Sequence, residues 1–112
     1  MDYLEKCIAA CYDCSVACEK CATQCLFEED SHNMTKCILL DRECSVICTA
    51  TAKILSIGAD HFQLLCEACE EICMACAAEC GRHDNMSHCR QCAEACTNCA
   101  EMCRKIIESD AL

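Results

Sequence analysis

Cys89-Arg90-Gln91-Cys92-Ala93-Glu94-Ala95-Cys96-Thr97-Asn98-Cys99-Ala100-Glu101-Met102-Cys103 carries cysteines at alternating steps of three and four residues. Those steps mark one face of an α-helix and no face of a strand, whose side chains alternate with a period of two. Cys11, Cys14, Cys18, Cys21 and Cys25 repeat the pattern, with Cys7 one turn ahead of them. Cys66, Cys69, Cys73, Cys76 and Cys80 repeat it again. Between these segments lies a thinner version. Positions 37, 41, 44, 48, 51 and 55 hold Cys37, Asp41, Cys44, Cys48, Thr51 and Leu55 in the same register. The chain is therefore one helix-sized unit used four times.

Helix signals agree with the repeat. Asp2 with Glu5, and Asp60 with Gln63, have capping-box spacing. Ser31 or Asn33 suits the start of the second helix, and Asp84, Asn85 or Ser87 that of the fourth. Gly58 and Gly81 stand just past the second and third cysteine segments, where a left-handed residue often ends a helix. With no proline and 4% aromatic residues, little else favours a sheet. These signals predict helices over 3–27, 34–57, 60–80 and 86–108. Short connections make neighbours antiparallel. The expected fold is all-α: one domain over residues 1–112, an up-down-up-down four-helix bundle with a cysteine-lined core.

Nineteen cysteines in 112 residues exceed any ordinary usage. A secreted disulfide scaffold is the common reading of such a chain, but the odd count and the helical spacing oppose it. The start Met1-Asp2-Tyr3-Leu4-Glu5-Lys6 carries no basic region followed by an apolar run. A reducing cytoplasmic setting is the expectation. The formal charge of −10, from 19 acidic and 9 basic residues, disfavours nucleic acid and anionic membrane as partners. No apolar run is long enough to span a bilayer.

Thiolate is a soft ligand that favours Cu(I) over hard cations. Cysteines one turn apart have Cβ atoms about 5–6 Å apart, wider than the roughly 3.8 Å of a relaxed disulfide. Two such sulfurs suit the two sides of one ion. One monovalent ion per thiolate also leaves a neutral core, whereas a divalent ion on four thiolates leaves two negative charges in a dry interior. Capacity is expected near one Cu(I) per cysteine, on the order of 15–20 ions. The ligands would be Cys7, Cys11, Cys14, Cys18, Cys21, Cys25, Cys37, Cys44, Cys48, Cys66, Cys69, Cys73, Cys76, Cys80, Cys89, Cys92, Cys96, Cys99 and Cys103. The competing readings are a zinc-binding protein and an iron–sulfur or thiol-redox carrier. Zinc sites usually pair two short motifs across turns, and iron–sulfur ligands gather from glycine-containing loops. Nineteen equivalent thiols argue against a single privileged nucleophile, so no enzyme is expected.

Antiparallel topology collects His32, His83, His88, Met34 and Met86 at one end of the bundle. Leu4, Leu55, Ile57, Leu64, Leu65, Ile106 and Ile107 collect at the other. The first end is the expected metal entrance, with His83, His88 and His32 as candidate transient ligands, and the second a hydrophobic plug. His61 and the inter-helix Met74 and Met102 suggest packing. Asp41 stands at a core position. Arg42 or a neighbouring thiol could partner it, and the simpler expectation is a slight helix rotation that leaves it at the edge.

The run Cys11-Tyr12-Asp13-Cys14-Ser15-Val16-Ala17-Cys18, its repeat through Cys96, and Leu40-Asp41-Arg42-Glu43-Cys44 resemble the bacterial four-helix-bundle copper storage proteins. The resemblance spans essentially the whole chain. It implies a cytosolic member, since the twin-arginine signal of exported members is missing. It further implies Cu(I) held mainly by cysteine pairs one turn apart, histidines that help copper enter at the bundle mouth, and a homotetramer.

Overall fold

The computed structural model describes residues 3–109. Four helices run along the chain: α1, Tyr3–Leu26; α2, Thr35–Ile57; α3, Phe62–Gly81; and α4, Ser87–Ser109. A single 3-10 turn, Ser31–Met34, leads into α2. Neighbouring helices pack α1 on α2, α2 on α3, α3 on α4 and α4 on α1, and across the diagonal thiols of α2 and α4 meet on the axis, Cys48 and Cys99 at 3.8 Å. That is an antiparallel square, 46 × 19 × 17 Å. Its long dimension is set by helices of 20–24 residues rising about 1.5 Å each.

Cysteine makes this bundle narrow. All nineteen cysteines are fully buried, and all are free thiols. Between the ends of the bundle the core holds almost nothing larger than a thiol, the largest fully buried side chains being Met34, Leu55, Ile106, Thr51 and Asp41. Small side chains at the seam let helix backbones approach closely, and the sulfur column takes the place that leucine fills in ordinary bundles. Ser45 supports the α1–α2 seam by donating to Glu19 at 2.9 Å, and Arg42 pairs with the same Glu19 at 3.1 Å. Arg104 makes a two-pronged bridge from α4 to Glu70 on α3.

The helix ends differ from their sequence signals in instructive ways. Gly58 adopts φ +65° and its amide, with that of Ala59, closes the carbonyls of α2, as its position suggests. Gly81 instead remains inside α3, and Arg82, in right-handed conformation, follows it. The chain there needs no reversal of hand, because the 82–86 segment continues as turns hydrogen-bonded to Glu79, Cys80 and His83. Asp60 is not the cap of α3: the helix begins at Phe62, and His61 at the cap position makes no side-chain cap bond. Nor do Ser31 and Asn33 cap α2, because the 3-10 turn intervenes and Met34 takes that position. The capping box from Asp2 lies outside the described residues.

At the plugged end Leu55 and Ile106 are fully buried, and Leu4, Ile107, Tyr3 and Phe62 are partly buried against the core. Ile57 and Leu64, expected in the same plug, are exposed. They lie on the outer faces of their helices, off the cysteine register. Met102 is buried, but Met74 is mostly exposed and so does not pack between helices.

The two glycines should respond oppositely to alanine. Added Cβ atoms meet nothing within 4 Å at either site, so backbone conformation decides. Gly58→Ala should cost about 1–2 kcal/mol for the left-handed residue. Gly81→Ala should gain up to about 1 kcal/mol as a helical substitution. Urea denaturation of the reduced protein checks both, and equal effects would refute the assignment.

Candidate metal centre

Sulfur atoms run down the bundle axis in continuous contact. Within helices, pairs four residues apart approach closely: Cys14–Cys18 at 3.9 Å, Cys44–Cys48 at 3.8 Å, Cys69–Cys73 at 3.8 Å and Cys21–Cys25 at 3.9 Å. Between helices the approach is at least as close, with Cys44–Cys73 and Cys37–Cys80 at 3.5 Å and Cys11–Cys99 at 3.6 Å. With metal–sulfur bonds of roughly 2.3 Å, such separations correspond to S–metal–S angles of about 100–120°. The thiols therefore stand close to the spacing they would hold around a shared soft ion.

Quartets form along the column, each with its donor atoms within 4.8 Å of one another: Cys11, Cys69, Cys99 and Cys103; Cys14, Cys44, Cys48 and Cys73; Cys14, Cys18, Cys44 and Cys96; Cys18, Cys76, Cys92 and Cys96. Because Cys14, Cys18, Cys44 and Cys96 each belong to two quartets, the last three of these groups are fused. A thiolate has lone pairs enough to bridge two ions, so fused groups favour clusters over isolated sites. Toward the plug, Cys7 and Cys103 stand 3.9 Å apart, and the buried hydroxyl of Thr51 donates to the Leu65 carbonyl at 3.3 Å. In α2, Thr51 and Leu55 thus continue the seam without sulfur.

Asp41 does not lie at the edge. It is fully buried, and its Oδ1 accepts from Cys76 at 3.3 Å, Cys92 at 3.3 Å and Cys80 at 3.4 Å. Arg42, the other expected partner, turns outward to Glu19. Burial, with the neighbouring Cys92, Cys76 and Cys37, pushes the Asp41 carboxyl up to about 10. It is consequently a neutral acid in the apoprotein at neutral pH.

Thiol acidity follows similar logic. Burial, then repulsion from Cys37, pushes Cys89 up to about 11 and raises Cys25 as well. Hydrogen bonds from Cys21 and Cys80 hold Cys37 low. A thiol held protonated by burial, as Cys25 and Cys89 are, must give up its proton for a metal ion to bind.

The end formed by the 27–34 and 82–86 segments carries the histidines, but they are not equivalent. His88 directs Nδ1 at Cys89 (3.5 Å), Cys21 (3.6 Å) and Cys25 (4.0 Å), and with these three thiols it forms a further four-donor group. Its Nε2 lies 3.0 Å from Glu28 Oε2. His83 is tied instead to Glu79, Nε2 to Oε2 at 3.1 Å. Glu79 is itself buried and holds Arg82 at 3.2 Å and Lys36 at 3.9 Å. His32 is 80% exposed and pairs with Asp30. Met34 is buried and Met86 packs against the core. The sequence reading did not single out Glu28 or Glu79. Glu79 was legible as an acid four residues before His83. Glu28 is sixty residues from His88 in sequence, and no local pattern pairs them.

Comparison with known proteins places this geometry. A family model described as copper storage protein matches residues 1–108. An uncharacterized cysteine-rich protein of Bacillus subtilis (strain 168), YhjQ, is 46% identical over 104 residues, covering 93% of this chain and 95% of that protein. The structure is similar to Cu(I)-bound copper storage protein BsCsp3, with a TM-score of 0.89, 45% identity, and coverage of 95% of this chain and 99% of that one. It is also similar to a cytosolic copper storage protein from Streptomyces lividans loaded with five coppers, with a TM-score of 0.91, 41% identity, and coverage of 95% and 92%.

The raised acidity constant of Asp41 gives a signed pH dependence. A carboxyl whose folded value lies above its unfolded value contributes stability at low pH that fades as pH rises toward about 10. From about pH 5 to 7 that one group should cost the apoprotein up to about 1.4 kcal/mol per pH unit. Asp41→Asn, which keeps an acceptor oxygen for the thiols, should flatten this slope and be the more stable protein at neutral pH. Parallel slopes in denaturant titrations of the two proteins would show that Asp41 is not held neutral by its site.

Proposed function

The chain belongs to the copper storage protein family, and from that premise we propose that it is a cytosolic store that takes up many Cu(I) ions on its core thiolates. The observation that carries this reading is the column of nineteen buried free thiols, arranged in fused four-donor groups. Their number and equivalence suit capacity rather than turnover, and no residue stands apart as a nucleophile. Support also comes from the similar proteins, one described as Cu(I)-bound and one as cytosolic and loaded with five coppers.

Each Cu(I) entering would displace about one thiol proton, and thiolates shared between neighbouring ions would complete the pair or trio of sulfurs around it. Monovalent charge is matched by one thiolate per ion, so the dry column stays near neutrality as it fills. The neutral form of Asp41 avoids placing a further negative charge beside Cys76, Cys80 and Cys92. The histidine end is the proposed entrance and the Leu55–Ile106 end the closed one. Cys21, Cys25 and Cys89 with His88 would be the first donors an incoming ion meets.

Anaerobic titration of reduced protein with Cu(I), in the presence of a chromophoric Cu(I) chelator, tests the proposal. Copper should co-elute with protein to on the order of 15–20 ions per chain before the chelator colours. An unbuffered solution should acidify by about one proton per ion bound. Saturation at only a few ions would sink the storage reading.

A homotetramer belongs to the same proposal. Val16 on α1 and Leu39 and Val46 on α2 are large apolar side chains exposed on the outer surface of the bundle, and burial of such faces favours association. Light scattering should report four times the 12.4 kDa chain mass; a mass of one chain would remove this part.

A further inference from the structure

The best-defined polar device outside the sulfur column is the couple between Glu28 and His88. Glu28 follows α1 directly, and its backbone amide still bonds to Cys25 O at 3.3 Å. Its carboxylate reaches across the mouth to α4, where Oε2 lies 3.0 Å from His88 Nε2. The opposite ring nitrogen, Nδ1, faces three thiols at 3.5–4.0 Å. Both side chains are sheltered, His88 at 16% and Glu28 at 34% exposure.

A neutral imidazole has one protonated and one bare nitrogen, and only the bare nitrogen can bind a metal. The torsion that turns the ring about its Cβ–Cγ bond is broad for histidine. An unheld ring at a solvent-facing mouth therefore samples orientations that carry Nδ1 away from the sulfurs. A carboxylate at Nε2 accepts the proton there and stops the rotation. It also makes the ring a stronger donor, as carboxylates behind ligating histidines do at metal sites.

We propose that Glu28 is a positioning residue, which holds the Nε2–H of His88 so that the bare Nδ1 points into the Cys21–Cys25–Cys89 mouth. The proposal rests on the reading that these thiols receive Cu(I). It assigns unequal roles to the two sheltered histidines. His83 spends its Nε2 on Glu79, which also binds Arg82 and Lys36 and so ties the 82–86 turn to α2. His88 alone combines a carboxylate at one nitrogen with several thiols at the other. Glu28 never touches the ion. It shortens the search for a productive ring orientation, and so should govern how fast copper enters and not how much the column holds.

Two measurements on the full reduced chain test this. Imidazole nitrogen-15 spectra of the apoprotein, with His88 assigned by its loss in His88→Gln, should show a single tautomer protonated at Nε2 with a slowly exchanging proton. Glu28→Ala should lose that slow proton and average the ring signals, whereas Glu28→Gln, whose amide oxygen still accepts from Nε2–H, should keep them. In anaerobic stopped-flow uptake from a weak Cu(I) complex, Glu28→Ala should slow the first phase by about tenfold or more. Its final copper content should be unchanged, and Glu28→Gln should recover most of the rate. Wild-type spectra and rate in Glu28→Ala would overturn the proposal, as would a Glu28→Gln protein as slow as Glu28→Ala. If the wild-type chain takes up only a few ions, the storage reading fails instead. The spectra then decide alone: the positioning role stands if alanine loses the single tautomer and glutamine keeps it, and falls otherwise.

Discussion

A bundle core must be filled, and here it is filled with thiols. Cysteine is small and apolar enough to be buried without a hydrogen-bond partner, yet its sulfur is a strong ligand once deprotonated. The same nineteen side chains therefore do two jobs that most proteins assign to different residues. As a core they draw four helices together around a narrow seam. As a ligand set they leave sulfurs 3.5–4.0 Å apart along the whole axis, so the interior is organised around soft cations before any arrive. Burial works against the thiolate form, and so against accumulating charge in a column that holds no cation.

Asp41 shows how tightly that constraint binds. The α2 stripe carries only three cysteines, and its open position is filled by a carboxyl rather than by an apolar side chain. An ionised carboxylate there would be intolerable in a dry core with no cation beside it. The acid remains neutral and takes three close thiol hydrogen bonds instead, which accounts for its full burial without any salt bridge. Arg42 is next to it in sequence but projects about 100° further round the helix, toward Glu19 on α1. Adjacent residues on a helix do not share a face.

The two ends of the column differ in kind. Leu55 and Ile106 seal one end, and the large side chains that accompany them are bulky enough to exclude water. At the other end polar side chains stand beside Met34 and Met86, among them two sheltered carboxylate–histidine couples. One couple, His83 with Glu79, joins the turn to the neighbouring helix through a buried acid shared by three basic groups. The other, His88 with Glu28, meets the thiols. An ion approaching this end from solvent encounters nitrogen and sulfur together, whereas Leu55 and Ile106 fill the core at the other.

Cysteine steps of three and four fix the side of each helix that must be buried, and three near-identical repeats with a fourth in register leave little choice but a four-helix bundle. The family and the core cysteines were legible for the same reason: a periodic pattern encodes a face, and a face of thiols encodes soft-metal chemistry. Gly58 was legible too, because a left-handed cap is a local backbone need. Whatever depends on two elements meeting was not. Whether Gly81 ends a helix, or Asp60 caps one, is decided by how the next segment docks. Ile57 and Leu64 look apolar enough for the plug, but helix rotation points them to solvent. The burial of Asp41 needed α3 and α4 to supply its thiol partners. The reach of Glu28 to His88 spans sixty residues of sequence and a few ångströms of space, and only the tertiary structure brings those two residues together.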